Sequence, residues 1–182
     1  MPLSPPKHRA LSHTRNIHCC GYQREDGLWD IEAHLVDTKT YPFDNLHRGR
    51  IEAGQPVHEM WIRLTIDEDF LIHDAEVATD AAPFPTCLDI VDAFAALKGM
   101  RMGGGFVREV RQAFSGTRGC THLVELLAPM ATTAFQTLFP TREKRAAAAP
   151  SRQRPKVIDT CHALSADGEV VKRQWPEFYK GE

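Results

Sequence analysis

The chain has 182 residues, a formal net charge of −2, 42% hydrophobic residues and 25% charged residues. This length is enough for one domain with a real core and is short for two, and the composition is that of an ordinary globular protein. Nothing in the charge favours nucleic acid as a partner, and no apolar run reaches the length of a membrane span.

The N-terminal segment and the cysteines indicate the compartment. The segment has prolines and basic residues but no apolar run of the kind found in a secretory signal. The five cysteines are odd in number and irregularly spaced, so reduced thiols are expected rather than a disulfide framework. We therefore predict a cytoplasmic protein.

The first half of the chain predicts an arm followed by three strands. Residues 1–21 show no periodicity, and we assign them to an extended N-terminal arm. Alternation of apolar and polar residues then predicts strands over 28–37, 59–67 and 70–78, the last two forming a hairpin.

The second half predicts helices, a linker and a hairpin. Helical stretches are expected over 87–97, 105–114 and 120–138, the last with one apolar face and a kink at Pro129. Residues 141–155 have the composition of a linker. Around "SADGE", residues 156–182 show two short apolar runs, which predict a C-terminal hairpin that packs on the core domain, residues 22–140. The predicted fold is α+β: a three-stranded antiparallel meander with three helices on one face, plus this hairpin.

The candidate ligands and nucleophiles stand where predicted elements begin. His58 directly precedes the second strand, Cys87 opens the first helix, and Cys120 opens the last helix with His122 two residues later. If these starting points meet at one end of the fold, two cysteines with two histidines, or with Glu59, can form a tetrahedral zinc or iron site.

The same residues support a second interpretation that needs no metal. A thiol at a helix N-terminus lies at the positive end of the helix dipole, which favours the thiolate, so Cys120 can be a nucleophile. His122 or His58 is then its base, and Glu59 is a further acid–base candidate. A cysteine at an apolar helix start is also commonly a small buried hydrophobe, and that alternative stays open.

Weaker candidates for substrate binding lie on the first strand and beside the cysteine. His34 and Lys39, together with Asp37, are expected near the exposed side of the first strand, where Lys39 can bind an anion or simply be solvated. Arg118 can bind a carboxylate or a phenolate through two parallel hydrogen bonds.

Several segments carry a resemblance to a known family. The stretches "REDGLWDIEAHLVDTKTY", "AGQPVHEMWIRLTID", "LIHDAEVATDAAPFPTC" and "GTRGCTHLVELL" resemble a bacterial domain of unknown function, from about residue 15 to the end. Members of this family appear near genes of aromatic and acyl-CoA catabolism, so the resemblance implies a small enzyme.

The central run "GQPVHEMWIRLTIDEDFLIHDAEVAT" and the later "RGCTHLVELL" also resemble the iron–sulfur cluster scaffold proteins of the NifU-like fold. That resemblance implies ligands at His58, near Cys87 and at Cys120. The chain departs from the pattern, because Met60 replaces the acidic ligand and Gly119 replaces the histidine before the last cysteine.

Three functions are therefore expected as alternatives. The first is an enzyme that degrades aromatic compounds, including lignin-derived ones, or acyl compounds. It would be a lyase or hydrolase acting on a small molecule. The second is a zinc- or iron-binding scaffold or delivery protein. The third is a non-catalytic accessory subunit. A homodimer is one option for the assembly, and no membrane partner is expected.

Overall fold

The computed structural model describes residues 3–148 and 153–181. The chain forms two compact units, Met1–Pro140 and Thr141–Glu182. The first unit contains the sheet and the larger core, and the second has a small core of its own.

A four-stranded antiparallel sheet organises the first unit. The strands of the chain are β1 (His13–Gln23), β2 (Trp29–Lys39), β3 (Phe43–Asn45), β4 (Gly49–Ile51), β5 (Pro56–Ile66) and β6 (Ile72–Ala81). The sheet has the order β1-β2-β5-β6, while β3 and β4 pair separately. The predicted strands are thus confirmed as β2, β5 and β6 of one antiparallel sheet, but the sheet has four strands rather than three.

The extra strand, β1, lies largely within the segment assigned to an extended arm. Its eleven residues pair with β2 along their whole length, from His13 opposite Lys39 to Gln23 opposite Trp29. It lacks the apolar alternation of β2 because it is an edge strand that is only partly covered. Residues 1–2 of the predicted arm lie outside the described residues.

The core forms between one face of the sheet and the helices. Alternate residues of β2 and β5 are fully buried, as their sequence pattern predicts. They pack with α1 (Phe106–Ala113) and α2 (Thr121–Ala147). The helix α2 contributes six buried residues: Leu123, Leu126, Leu127, Met130, Ala134 and Leu138.

The helices differ in detail from their predicted bounds. The stretch predicted as a helix over 87–97 forms 3₁₀ turns at Pro85–Cys87 and Val91–Leu97. The longest helix, predicted over 120–138, runs to Ala147 and so includes the first seven residues of the predicted linker. The linker residues 149–152 lie outside the described part of the chain. In residues 3–148 and 153–181, no helix combines the length and apolar character needed to cross a bilayer.

One glycine allows β1 to approach α2. A Cβ atom on Gly21 would lie 2.0 Å from the Thr137 Oγ1 atom and 2.8 Å from its Cβ atom. No real side chain can be accommodated at such distances without movement of the strand or the helix. Gly21 is therefore a packing requirement of the first unit.

The second unit is helical in its described part, so the predicted C-terminal hairpin is wrong over residues 156–181. The unit contains α3 (Glu169–Gln174) and the 3₁₀ turns His162–Leu164 and Pro176–Phe178. Gly168 is the residue before α3 rather than the turn of a hairpin.

Two features of the sequence favour this helix. Glu169 lies in its first turn and Arg173 in its last, and the two form an ion pair at 2.8 Å. Val171 and Trp175, four residues apart, are buried together with Ile158 and Ala166. Residue 182 of the predicted hairpin lies outside the described residues.

A candidate active site at one end of the sheet

Three side chains form a row across the sheet. In the strand register Arg15 of β1 lies opposite Asp37 of β2, and Asp37 lies opposite His58 of β5. Directly opposite residues of antiparallel strands project from the same face. For Asp37 and His58 this is the face of Leu35 and Met60, which are fully buried. The row therefore lies on the helix-covered face.

Asp37 is the centre of the row and is 1% exposed. Arg15 donates two hydrogen bonds to it, from Nε to Oδ1 and from Nη2 to Oδ2, each 2.8 Å long. The Nε2 atom of His13 lies 3.3 Å from Oδ1. Burial opposes ionisation of Asp37, but the Arg15 hydrogen bonds and charge outweigh it and lower its pKa. Asp37 is therefore a buried carboxylate held ionised at neutral pH.

His58 is oriented by this carboxylate. Its Nδ1 atom lies 3.0 Å from Asp37 Oδ2. An ionised carboxylate only accepts hydrogen bonds, so the proton of a neutral His58 is on Nδ1 and its Nε2 is a free acceptor. Asp37 thus fixes both the tautomer and the orientation of the ring.

The start of α2 brings a second imidazole to the first. The rings of His122 and His58 are 3.8 Å apart between centroids, with planes tilted by 31°. His122 directs Nε2 toward Asp37 Oδ2 at 3.9 Å and Nδ1 toward Cys120 Sγ at 3.8 Å. A thiol, an imidazole and a carboxylate therefore follow one another in space.

The backbone before α2 makes this contact between residues two apart. Cys120 precedes the first helical residue, Thr121, so the regular helical spacing does not apply to it. Gly119 is extended, and a Cβ atom there would lie 2.5 Å from the Phe114 carbonyl oxygen. A glycine is thus required where the chain passes Phe114 and turns Cys120 toward His122.

Both histidines are biased toward the neutral form. Burial lowers the pKa of His58, and the nearby His122 lowers it further against the opposing effect of Asp37. Burial and the charge of Arg15 lower the pKa of His122 against Asp37 and Glu125. Neutral imidazoles can accept a proton at neutral pH, as general bases do.

The structure brings together three of the residues predicted for the site, His58, Cys120 and His122. It does not bring in Cys87, which ends the turn Pro85–Cys87 and is absent from the one group of three potential metal ligands among the described residues. Glu59 follows His58 on β5 and therefore projects from the opposite face.

The predicted binding residues form hydrogen bonds with partners other than the residues of this site. On the outer face of the sheet, His34 stacks on Trp61 at 3.4 Å and contacts Glu59 at 3.1 Å. Lys39 donates to the Tyr41 hydroxyl at 3.2 Å. Arg118, two residues before Cys120 in the chain, donates a hydrogen bond to the Gln112 carbonyl oxygen at 2.7 Å.

Two important residues of the site escaped the sequence reasoning. The charged residues around Asp37 predict an exposed patch, although the alternation of β2 places Asp37 on the same face as Leu35. Extending the alternation by two residues from Leu35 places Asp37 on the buried face. Arg15 offered no such signal, because β1 carries no apolar pattern.

Asp37, His58 and His122 can also be considered as metal ligands. One potential ligand atom from each lies within 4.8 Å of those of the other two. Two imidazoles and one carboxylate are a donor set used by catalytic zinc sites. An iron–sulfur cluster does not fit, because such clusters are held by several thiolates and Cys120 is the only thiol that contacts this group among the described residues.

Comparison with known proteins identifies the family. The chain matches the family described as "Protein of unknown function (DUF2889)" over residues 13–136. It belongs to this family. The match begins at the first residue of β1 and includes Arg15, Asp37, His58, Cys120 and His122. Searches of curated proteins and of solved structures gave no significant match.

Proposed function

We propose that this DUF2889 protein is an enzyme of acyl or aromatic-compound catabolism that hydrolyses an acyl substrate through the thiol of Cys120. The observation that carries the proposal is the series Cys120 Sγ, His122 and Asp37, with contacts of 3.8 Å and 3.9 Å on the two sides of the imidazole. A nucleophile, a base and a group that orients the base are the parts required for covalent acyl transfer.

The first half of the reaction forms an acyl-enzyme. His122 Nδ1 accepts the proton of the Cys120 thiol as the sulfur attacks the acyl carbonyl carbon. The tetrahedral intermediate then expels the leaving thiolate or alkoxide, which takes the proton from the His122 imidazolium. Asp37 stabilises that imidazolium from the Nε2 side.

The second half returns the free thiol. His58 Nε2, made an acceptor by the hydrogen bond of Nδ1 to Asp37, removes a proton from water as the water attacks the thioester carbon. The carboxylic acid leaves, and the Cys120 sulfur recovers a proton from imidazolium. Hydrolysis is favoured over a lyase reaction because a thiol nucleophile serves acyl transfer directly.

The proposal also bears on location and substrate. The five cysteines are free thiols, and a thiol nucleophile works in a reducing compartment such as the cytoplasm. The substrate is a small molecule with an ester or thioester carbonyl. The resemblance noted in the sequence adds an aromatic acyl group to the candidates.

The direct test is to trap the acyl-enzyme. The protein is incubated with a panel of acetyl and benzoyl thioesters and esters, and peptides from each cysteine are analysed by mass spectrometry. We expect acylation of Cys120 and not of the exposed Cys161, which is the internal control. His122→Gln should slow acylation about 100-fold, the scale of a general base. His58→Gln should instead prolong the life of the acyl-enzyme.

Two outcomes would overturn the proposal. One is acylation of Cys120 no faster than that of Cys161 across the panel. The other is equal acylation in the wild type and His122→Gln. Either result would favour a non-catalytic accessory subunit.

A metal-dependent enzyme or a metal-binding delivery protein is the second candidate, favoured by the three potential ligands within 4.8 Å. Arg15 opposes it, because its guanidinium already binds both oxygens of Asp37 and would repel a cation. Elemental analysis of untagged protein decides between the two. Stoichiometric zinc or iron that is lost in His58→Gln, and kept in the outer-face control His34→Gln, would support the metal.

A further inference from the structure

A second feature of the first unit is an open cleft lined by arginines. The cleft has a volume of about 690 Å³ and is lined by Val107, Arg108, Arg111, Gln112, Ser115 and Arg118. We call it the arginine cleft. Three of its six lining residues are cationic and none is acidic, in a chain whose net charge is −2. The lining of the cleft is therefore locally positive.

The arginines of the cleft form no ion pair with a carboxylate of the described residues. Within the described ranges, 3–148 and 153–181, no carboxylate forms an ion pair with Arg108, Arg111 or Arg118. Arg108 and Arg111 are three residues apart on α1, a spacing at which like charges repel and destabilise a helix. An anion bound between them would remove this repulsion.

Arg118 is held in place for such a ligand. One of its nitrogens donates to the Gln112 carbonyl oxygen at 2.7 Å and to the Ser115 hydroxyl at 2.6 Å. The other guanidinium donors have no hydrogen bond to a described residue. A fixed guanidinium with free donors is suited to binding phosphate or carboxylate through two parallel hydrogen bonds.

The cleft lies next to the proposed nucleophile. Arg118 ends the turn Gly116–Arg118, and only Gly119 separates it from Cys120. Two peptide units span at most about 7 Å, so the Cα atoms of Arg118 and Cys120 are no further apart than one small molecule can bridge.

We propose that the arginine cleft binds the polyanionic end of the acyl substrate, an organic phosphate or polycarboxylate with at least two negative charges, while the acyl carbonyl lies at Cys120. This inference rests on the proposed function and names its substrate class. Two of the three guanidinium groups can each bind one anionic group through two hydrogen bonds, and the third adds positive charge. Neutral acyl donors are then poor substrates that react only through the thiol chemistry.

Binding is tested first, without any reaction. Calorimetric titration at low salt with inorganic pyrophosphate and with citrate distinguishes phosphate from carboxylate recognition, and chloride is the monoanion control. Arg111→Gln and Arg118→Gln should each raise the dissociation constant about tenfold or more. Arg50→Gln, at a 57% exposed arginine on β4, is the matched control and should leave it unchanged.

The link between cleft and thiol is tested with two alkylating reagents that differ in charge. The ratio of the iodoacetate rate to the iodoacetamide rate is measured at Cys120 and divided by the same ratio at Cys161. We expect this normalised ratio to exceed about five in the wild type. It should fall toward one in Arg111→Gln, in Arg118→Gln, and in the wild type saturated with pyrophosphate.

The outcomes separate this inference from the proposed function. Absence of arginine-dependent anion binding would overturn the cleft, and so would binding that leaves the Cys120 ratio unchanged. Neither result would contradict the trapping of an acyl group from a neutral donor on Cys120. Failure of that trapping alongside arginine-dependent selectivity would instead overturn the acyl step.

Discussion

Replacement of Asp37 by asparagine removes the charge at the centre of the row Arg15–Asp37–His58. Asparagine has nearly the same shape and retains one acceptor oxygen, so packing is preserved. Asp37 accepts three hydrogen bonds of 3.0 Å or shorter, two from Arg15 and one from His58. Charge-assisted bonds contribute about 1.5–3 kcal/mol each when their partners are buried.

That contribution must be reduced, because the Arg15 side chain is 33% exposed and regains water when its partner is lost. Halving the sum and allowing for the retained oxygen gives a loss of about 2–3 kcal/mol in the free energy of unfolding. For a chain of this size, that lowers the melting temperature by about 5–10 °C. Urea unfolding at pH 7 measures the change, and Asp44→Asn, at an 86% exposed carboxylate, should change it by less than about 0.5 kcal/mol.

The pH dependence gives a sharper test. The pKa of Asp37 is lowered in the folded state, so its stabilising effect is complete above the ordinary pKa of about 4 and is lost as the pH falls through the folded value. The difference in stability between the wild type and Asp37→Asn should therefore be present at pH 5–7 and shrink below pH 4. Equal stabilities at pH 7, or a difference unchanged in strong acid, would refute the account of Asp37 as a buried ionised acceptor.

Three further predictions concern the histidines and the contact between β1 and α2. The pKa of His122 is lowered in the folded state, so unfolding takes up protons below about pH 6.5. The stability of the wild type should therefore fall between pH 7 and pH 5 by more than that of His122→Gln. Urea titrations at several pH values measure this difference, and parallel curves would contradict it. His122→Gln should also lower the rate of Cys120 alkylation by iodoacetamide at pH 7 about tenfold, whereas the outer-face variant His34→Gln should leave it unchanged. Equal rates in the wild type and His122→Gln would show that His122 is not the base. Gly21→Ala should cost about 1–3 kcal/mol through its clash with Thr137, and Thr137→Ala should recover part of that loss in the double variant, as thermal melts will show.

The parts of the fold that the sequence predicts are those in which burial follows a regular period. The strand β2 alternates cleanly, and β5 alternates from Met60 to Leu64, because one face packs under helices. The helix α2 carries its apolar residues on one side. The strand β1 could not be recognised in this way, because its helix-facing positions include Arg15, Cys19 and Gly21. Arg15 forms an ion pair and Gly21 allows close approach to α2, and only Cys19 packs on the core as an apolar residue.

The same reasoning explains what was recognised in the site. His58 and His122 are predictable from the sequence because they stand near the beginnings of a strand and a helix, which meet at one end of the fold. Cys87 was expected by analogy with a metal pattern, but the turn that holds it does not bring it to the two histidines. The role of Asp37 depends on strand pairing, since its partners come from β1 and β5, which are distant in sequence.

Burial is the main cause of the lowered pKa of both histidines, and Arg15 adds to it. Asp37 and Glu125 both favour the imidazolium form of His122, and Asp37 favours that of His58. Without an opposing charge, these two carboxylates would favour protonated histidines, and a protonated imidazole cannot act as a base. Arg15 binds both carboxylates and lowers the pKa of both histidines, so it acts as a positioning residue that keeps the bases free. The edge strand β1 thereby contributes to the site through charge, and the site is complete only when β1 is paired with β2 and covered by α2.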